Sequence, residues 1–473
     1  MSNGHDDVLE GGPIGGLGIE SVIVVVAVSS AALLVTQPFA LTVALCAALL
    51  IAAISNFDWF VYVVVFLLPW YPILDPKLPV RDVFVATRFV LLTGVWIMER
   101  KRGESIKDWV TNTRLKKGVL IFAAVATVSL LVSDLRTNLD SYKVLIRTLS
   151  YIAVFFAMSS WLESRKHVAR IIQILLVSTV CVALFGFYQE LDGSYTDFYF
   201  RLYPMQADVL EPWVGRVTSF MFHFNSLAGY LNLVIPFSIG CMVLAKDHWT
   251  QRLGLICFAT CTVALILTQS RGGLIAYGGS LFVSVWLLAQ KRTVRIGILA
   301  TIAVVIAFVA PMFTNYFERL QSVDEVTALS RLAIWASAGS MFLAHPALGV
   351  GYGNYRISSL TFVPEPIGGQ LHAHNLYLQL LAETGIVGFL LFFIVIGSVA
   401  RNAVKLVKHP DPLFRIVGVG VCGAITATLI HGMVDFLFNV APQFGALFWL
   451  VLALSVAASQ NFRKGRVANG LIA

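Results

Sequence analysis

Charge is what this sequence has least of. Asp, Glu, Lys and Arg make up 13% of its 473 residues, about half the share of an ordinary soluble domain. With 58% hydrophobic residues and a mean hydropathy of +0.80, that scarcity excludes a soluble globular protein of this size. Cysteine is sparse and badly placed for cross-linking. Cys46, Cys181, Cys241, Cys257, Cys261 and Cys422 all lie inside apolar runs. Cys257 and Cys261 share a helix face, but the spacings form no disulfide or metal framework. Asp-x-Asp, the phosphate-binding Walker loop and the Gly-x-Ser-x-Gly elbow are missing, as is a chain of intramembrane acids of the proton-relay kind. The first 20 residues are acidic and Gly-rich and lack a basic n-region, so no cleavable signal peptide is expected.

What is present is a series of long apolar runs. They fall at about 20–36, 39–54, 58–72, 83–98, 117–133, 144–161, 168–189, 219–244, 252–268, 272–289, 295–312, 375–400, 413–433 and 441–459. Lipid offers no partner to a free backbone amide, so each span must be a helix. The runs do not alternate, which excludes the strands of a barrel. The expected fold is all-α and polytopic, with about 12–14 transmembrane helices; the first two runs are short and separated only by Thr36-Gln37-Pro38. Residues 1–18 read as a disordered leader and 19–473 as a single transmembrane domain.

Lys and Arg cluster in alternate short loops. Arg100 to Lys117, Arg165 to Arg170, Lys246 with Arg252, Lys291 to Arg295, Arg401 to Arg415 and Arg463 to Arg466 form the series. The positive-inside rule makes these loops and both termini cytoplasmic. The net charge of +8 thus reports orientation, with no nucleic-acid partner implied. The opposite loops, 191–218, 269–273 and 313–373, face outward. The last is too long for a plain connection. Within it, Ser330 to Phe342 reads as an amphipathic helix, capped by Ser330 and carrying Leu332, Trp335, Ala336, Met341 and Phe342 on its apolar side. Such a helix suits the membrane interface.

Polar groups gather on that outward face. Arg216 precedes a span that contains His223 and Asn225. Arg271 stands in a hairpin, and Arg331 opens the loop helix. Arg88 and Arg147 lie within spans, nearer their outward ends. His372, His374 and Asn375 open the span after the long loop; His431 and Asp435 close the next, four residues apart. Arginine on the outward side runs against the usual bias. Clustered there, it suits an anion, and guanidinium binds phosphate bidentately. A lone arginine could instead snorkel to lipid phosphates, and a lone histidine could be a helix cap. His223 and His431 read as packed, hydrogen-bonded core histidines.

The run His374-Asn375-x9-Gly385-Ile386-Val387-Gly388 resembles the signature of bacterial O-antigen ligases and the related O-antigen polymerases. Arg216…Asn225-Ser226-Leu227-Ala228 agrees with it. So do Thr268-Gln269-Ser270-Arg271-Gly272-Gly273, Arg331…Trp335…Pro346-x-x-Gly349-x-Gly351, and His431-x-x-x-Asp435 followed by Pro442. The likeness covers about 210–445 in the correct order. Phe389 after Gly388 and Phe224 before Asn225 depart from the commoner residues and leave ligase and polymerase both open.

The resemblance implies a metal-independent, inverting glycosyl transfer without cofactor, at the periplasmic face of the bacterial inner membrane. The donor would be a glycan on undecaprenyl pyrophosphate and the acceptor lipid A-core or another glycan. His374 would be the general base, with Arg216 and Arg271 on the pyrophosphate. Arg88, Arg147, Asn225, Arg331, His372 and Asn375 would contact substrate, with His431 and Asp435 behind them. Protein O-glycosylation is the remaining alternative within the enzyme class. A transporter of a small anion such as bicarbonate is the alternative of another class; against it, the polar groups do not descend through the bilayer midplane.

Overall fold

Where a chain this apolar meets lipid, its backbone can satisfy itself only as helix, and the structure follows that rule. The computed structural model describes residues 56–73, 80–103, 105–111, 113–193, 215–221, 223–289, 296, 331–362 and 372–468. In chain order the helices are α1 (Phe57–Phe66), α2 (Val80–Lys101), α3 (Ile106–Thr111), α4 (Arg114–Val132), α5 (Leu139–Trp161), α6 (Arg165–Asp192), α7 (Phe224–Leu244), α8 (His248–Leu267) and α9 (Arg271–Leu288). Residues 331–344 form α10. Then come α11 (Tyr355–Phe362), α12 (Leu376–Val407), α13 (Pro412–His431), α14 (Leu437–Val440) and α15 (Pro442–Ala468). Every apolar run expected from the sequence that falls on described residues is helical. The runs at 20–36 and 39–54, the leader 1–18, and the 295–312 run apart from Ile296 lie outside them. Among the described residues, 9 helices are long and apolar enough to cross a membrane, and the chain is a multi-pass membrane protein.

The core is built on α5, α7, α13 and α15, the most buried of these helices. α13 packs against α7, α9, α12 and α15; α4 packs on α12, and α5 on α15 and α2. Phe155, Phe392, Phe438, Phe448 and Trp449 interlock at the centre, largely edge to face. One end of the bundle carries ion pairs, Arg165 with Asp411 and Arg102 with Glu163. The opposite end gathers the starts of α5, α7, α9 and α12 and the ends of α4, α8 and α13.

α12 is not continuous. Gly385 takes φ 59°, ψ −166° in the middle of it, and the loop before α11 fills the break. Ile386 N donates to Pro346 O at 2.9 Å, Val387 N to Ala347 O at 3.3 Å, and Val350 N to Ala382 O at 2.8 Å. Ser129 of α4 closes the same seam, with its hydroxyl on Glu383 O at 2.7 Å and Leu348 O at 2.8 Å. The buried Glu383 carboxylate accepts from Tyr355 N at 3.2 Å. The amides freed by the break are thus paired with protein instead of facing lipid.

α10 forms where the sequence predicts a helix, but its docked face differs. Ile334, Ala338 and Met341 are buried against Val350, Tyr355, Ala373 and Ala382, with Trp335 packed alongside, while Leu332 is 58% exposed. The contact with the α12 seam selects that i, i+4, i+7 stripe. The expected Ser330 cap lies outside the described residues.

A Cβ at Gly385 would drive into the Ala347 carbonyl, and its φ is left-handed. Gly385→Ala should therefore destabilise the protein by at least ~1–3 kcal/mol, read as a lowered melting temperature in detergent by tryptophan fluorescence. Gly397→Ala, at an open position of the same helix, should melt like the parent. Equal melting of the two variants would contradict this account of the break.

Candidate active site

At the end where α12 begins and α13 ends, three polar side chains share one carboxylate. Asn375 caps α12, accepting from Tyr377 N at 2.9 Å and Leu378 N at 3.0 Å, and its amide donates to Met433 O at 2.9 Å. Leu376 N donates to Gly432 O at 2.7 Å. These bonds lock the start of α12 to the turn after α13, which carries Asp435. His374, just before the cap, sits at φ 48°, a conformation that a bulky side chain adopts only when its surroundings enforce it.

Asp435 Oδ1 lies 3.2 Å from His372 Nε2 and 3.4 Å from His374 Nδ1. It also accepts from Phe436 N at 2.7 Å. Asn225 Nδ2 donates to Oδ2 at 2.8 Å, and Ser270 Oγ donates to Asn225 Oδ1 at 2.7 Å. Ser270 in turn caps α9, accepting from Gly273 N at 3.2 Å. A hydrogen-bonded chain therefore runs from His372 through Asp435, Asn225 and Ser270 to the helix end that opens with Arg271, with His374 Nδ1 in ion-pair range of the same carboxylate. Burial works to raise the Asp435 pKa, but the two histidines hold it well below the usual carboxylate value.

The histidines are not equivalent. Only 8% of the His372 side chain is exposed, against 30% for His374. Burial lowers the His372 pKa against the pull of Asp435, and the nearby charge of Arg331 adds to the lowering. His374 presents its Nδ1 edge to Asp435. Nδ1 makes no hydrogen bond at that separation among the described residues; the tautomer with its proton on Nδ1 leaves the Nε2 lone pair for another group. The separations of 3.2 and 3.4 Å suit charge-assisted contacts. They also resemble edges of a tetrahedral metal site, and His372, His374 and Asp435 offer three ligating atoms within 4.8 Å of one another.

Arg216 is held against the end of α8. Its Nη2 donates to Gln269 O at 2.6 Å and its Nε to Thr268 O at 3.3 Å, with the guanidinium 3.4 Å over the Phe224 ring. Arg271 is the first residue of α9, at the positive end of that helix dipole. Gly272 lets this end approach α13: a Cβ there would lie 2.5 Å from Val434 and 3.1 Å from His431. His431 is buried beside it, and neither ring nitrogen has a hydrogen-bond partner among the described residues. The histidine is packed as the sequence suggests but lacks the hydrogen bonds expected of it. His223 caps α7 with Nδ1 toward Asn225 N at 3.1 Å. Burial pushes its pKa down to about 4, with Arg216, His374 and His372 adding to the effect and Asp435 opposing it.

The structure thus brings His372, His374, Asp435, Asn225, His223, His431, Arg216, Arg271 and Arg331 to one end of the bundle. Asn225 and Asn375 spend their amides on protein partners. Arg88 stands apart: it is buried in α2, with Nη1 on Ser150 Oγ at 3.1 Å and its guanidinium 4.9 Å from the Tyr151 ring. Tyr151 lines an aromatic void of about 20 Å³ beneath Leu376 and Phe436, so Arg88 lies a layer below the histidines. Arg147, also on α5, acts electrostatically on Tyr352. Ser270 and the capping role of His223 escape sequence reasoning. The signal for Ser270 was available, since Ser before Arg-Gly-Gly at a span boundary is an N-cap pattern.

The fold and this end define a multi-pass membrane protein with a histidine–carboxylate cluster flanked by arginines. Residues 256–393 match the family model described as O-Antigen ligase, so this part of the chain is O-antigen ligase-like. The match includes Arg271, Arg331, His372, His374 and Asn375. Arg216, Asn225, His431 and Asp435 lie outside it, with Asn225 and Asp435 hydrogen-bonded to residues within it. No curated protein matches the chain.

The depressed histidines set a pH dependence. A group whose folded pKa lies below its unfolded value of about 6.5 costs nothing above that value. Its neutral folded form loses stability as pH falls toward the folded pKa. The melting temperature should therefore drop between pH 7 and pH 5, and His223→Asn should show a smaller drop. An identical drop in parent and variant would remove His223 as a contributor.

Proposed function

We propose that the chain is an O-antigen ligase-like glycosyltransferase acting at the periplasmic face of the bacterial inner membrane, with both termini cytoplasmic. It would move a glycan from undecaprenyl pyrophosphate to an acceptor hydroxyl, in the first place on lipid A-core. The observation that carries this reading is the fixed histidine–carboxylate pair, His374 with Asp435, joined by Asn225 and Ser270 to Arg271 inside a ligase-like region. His374 Nε2 takes the proton of the acceptor hydroxyl, and Asp435 stabilises the imidazolium that results. The acceptor oxygen bonds to the anomeric carbon of the donor sugar. The bond from that carbon to the phosphate oxygen breaks, and the electron pair leaves on the lipid pyrophosphate. Attack from the face opposite the leaving group inverts the anomeric centre. Arg216 and Arg271 balance the charge of the departing pyrophosphate, with Arg331 beside His372.

Metal is not needed in this scheme. Asp435 is already engaged by Asn225 and Phe436 N, and the cationic groups around the cluster oppose a divalent ion. Transfer by purified protein should persist in EDTA. Activity lost to EDTA and restored by Mg²⁺, Mn²⁺ or Zn²⁺ would place a metal on His372, His374 and Asp435 instead.

The central test offers purified protein a lipid-pyrophosphate glycan with lipid A-core, a second lipid-linked glycan, or protein. His374→Ala should cut transfer by roughly 10²–10⁴-fold with donor affinity retained. Arg271→Ala should weaken donor binding as well as rate, because it meets charge present in the ground state and enlarged in the transition state. Near-parental transfer by His374→Ala would refute the mechanism. Solute flux in proteoliposomes without glycan product would favour the small-anion transporter.

A further inference from the structure

A recess opens at the histidine end of the bundle, away from Arg216 and Arg271. It lies between the end of α4, the loop 345–350 and α11, and holds about 490 Å³, within the range of small-molecule sites. Ser133, Asp134, His345, Ser358 and Thr361 give it polar groups, and Phe362 gives it a ring. Among the described residues its lining includes no Lys or Arg. That chemistry does not suit pyrophosphate; it suits a neutral ligand rich in hydroxyls, which a carboxylate, hydroxyls and an imidazole can match as acceptors and donors. Ser358 sharpens the point. It is 4% exposed, and its hydroxyl has no hydrogen-bond partner among the described residues, an unfavourable state that a ligand hydroxyl would relieve.

The surroundings say how such a ligand is carried. Leu131, Val132, Leu343 and Leu360 stand exposed around the recess, each by half or more. An apolar collar at the end of membrane-spanning α4 suits acyl chains, so the hydroxyl-rich group would arrive on a lipid.

The position relative to the cluster decides which substrate this is. α4 packs on α12, whereas α7 and α9, which follow Arg216 and begin at Arg271, pack on α13. The recess and the arginines therefore flank opposite sides of the α12–α13 pair, whose adjoining ends hold His374 and Asp435. The floor of the recess includes Val350, bonded to Ala382 O and packed in one cluster with Ala373. Ala373 is the residue between the two histidines. One apolar layer thus separates the recess from the base.

Resting on the glycosyltransferase reading above, we infer that this recess binds the saccharide of the membrane-anchored acceptor, while the donor pyrophosphate lies across the histidines at Arg216 and Arg271. The test measures transfer against acceptor and donor concentration for Asp134→Ala and Thr361→Trp, two changes at exposed positions, with lipid A-core as acceptor. Both variants should raise the acceptor KM about tenfold, with donor KM and kcat at saturating acceptor within about twofold of the parent. Deacylated core oligosaccharide should compete with lipid A-core in the parent and more weakly in both variants. Unchanged acceptor KM in both variants, or a raised donor KM, would overturn the assignment while leaving the mechanism standing. His374→Ala run alongside separates the two failures: if it transfers normally, or if the parent transfers to no acceptor, the mechanism falls and the recess loses its role with it.

Discussion

Everything at the functional end hangs on one buried carboxylate. Asp435 has almost no contact with solvent, yet it is held ionised, which is tolerable only because each oxygen is met by donors. Those donors come from distant parts of the chain: His372 before α12, with His374 in ion-pair range, and Asn225 in the first turn of α7. Removing the carboxylate would leave the Asn225 amide and two imidazoles without their common acceptor. A side chain that satisfies three elements at once also fixes their relative positions, so the carboxylate serves orientation as much as charge.

The break in α12 does the same work for the extramembrane loop. A straight helix would consume its own amides and offer the loop only side chains. The left-handed Gly385 releases Ile386 and Val387 N–H to the carbonyls of Pro346 and Ala347, and Ala382 O to Val350. The loop is then bonded to the same helix that begins at the histidines. Tyr355 N on Glu383 and the Ser129 hydroxyl on the seam tie α11 and α4 into it. Movement of the loop would therefore be felt at the seam, three turns of helix from His374 by sequence spacing.

Much of this was legible in the residues. The spans follow from hydropathy alone, because lipid permits one backbone form. The His374-Asn375 pair at a span start announces a cap, and Asn375 is one. His431 and Asp435, four apart, announce a shared helix end. What was hidden is pairing across the chain: no local pattern joins Ser270 to Asn225, or Asn225 to Asp435. The face of α10 was misjudged for a related reason. Leu332 counts as apolar in any periodic reading, but the groove formed by Val350 and Ala382 accepts Ile334, Ala338 and Met341. Arg88 was placed with the outward arginines by sequence depth, whereas Ser150 and the Tyr151 ring hold it one layer down.

The arginines differ in how they are held, and the difference follows from the helix ends that hold them. Arg216 lies on carbonyls after the end of α8, where the helix dipole is negative and a guanidinium is at home without any substrate. Arg271 stands at the start of α9, where the dipole is positive and the helix amides favour an anion. The two ends meet in the turn Thr268-Gln269-Ser270, so one arginine is fixed in advance while the other shares its position with helix amides. In the proposed reaction, the donor pyrophosphate would meet an arginine already in place. Electrostatic stabilisation of that kind is most effective when it needs no rearrangement at the moment of reaction. Ser270, which caps α9 and reaches back to Asn225, connects the start of α9 to the carboxylate beside His374.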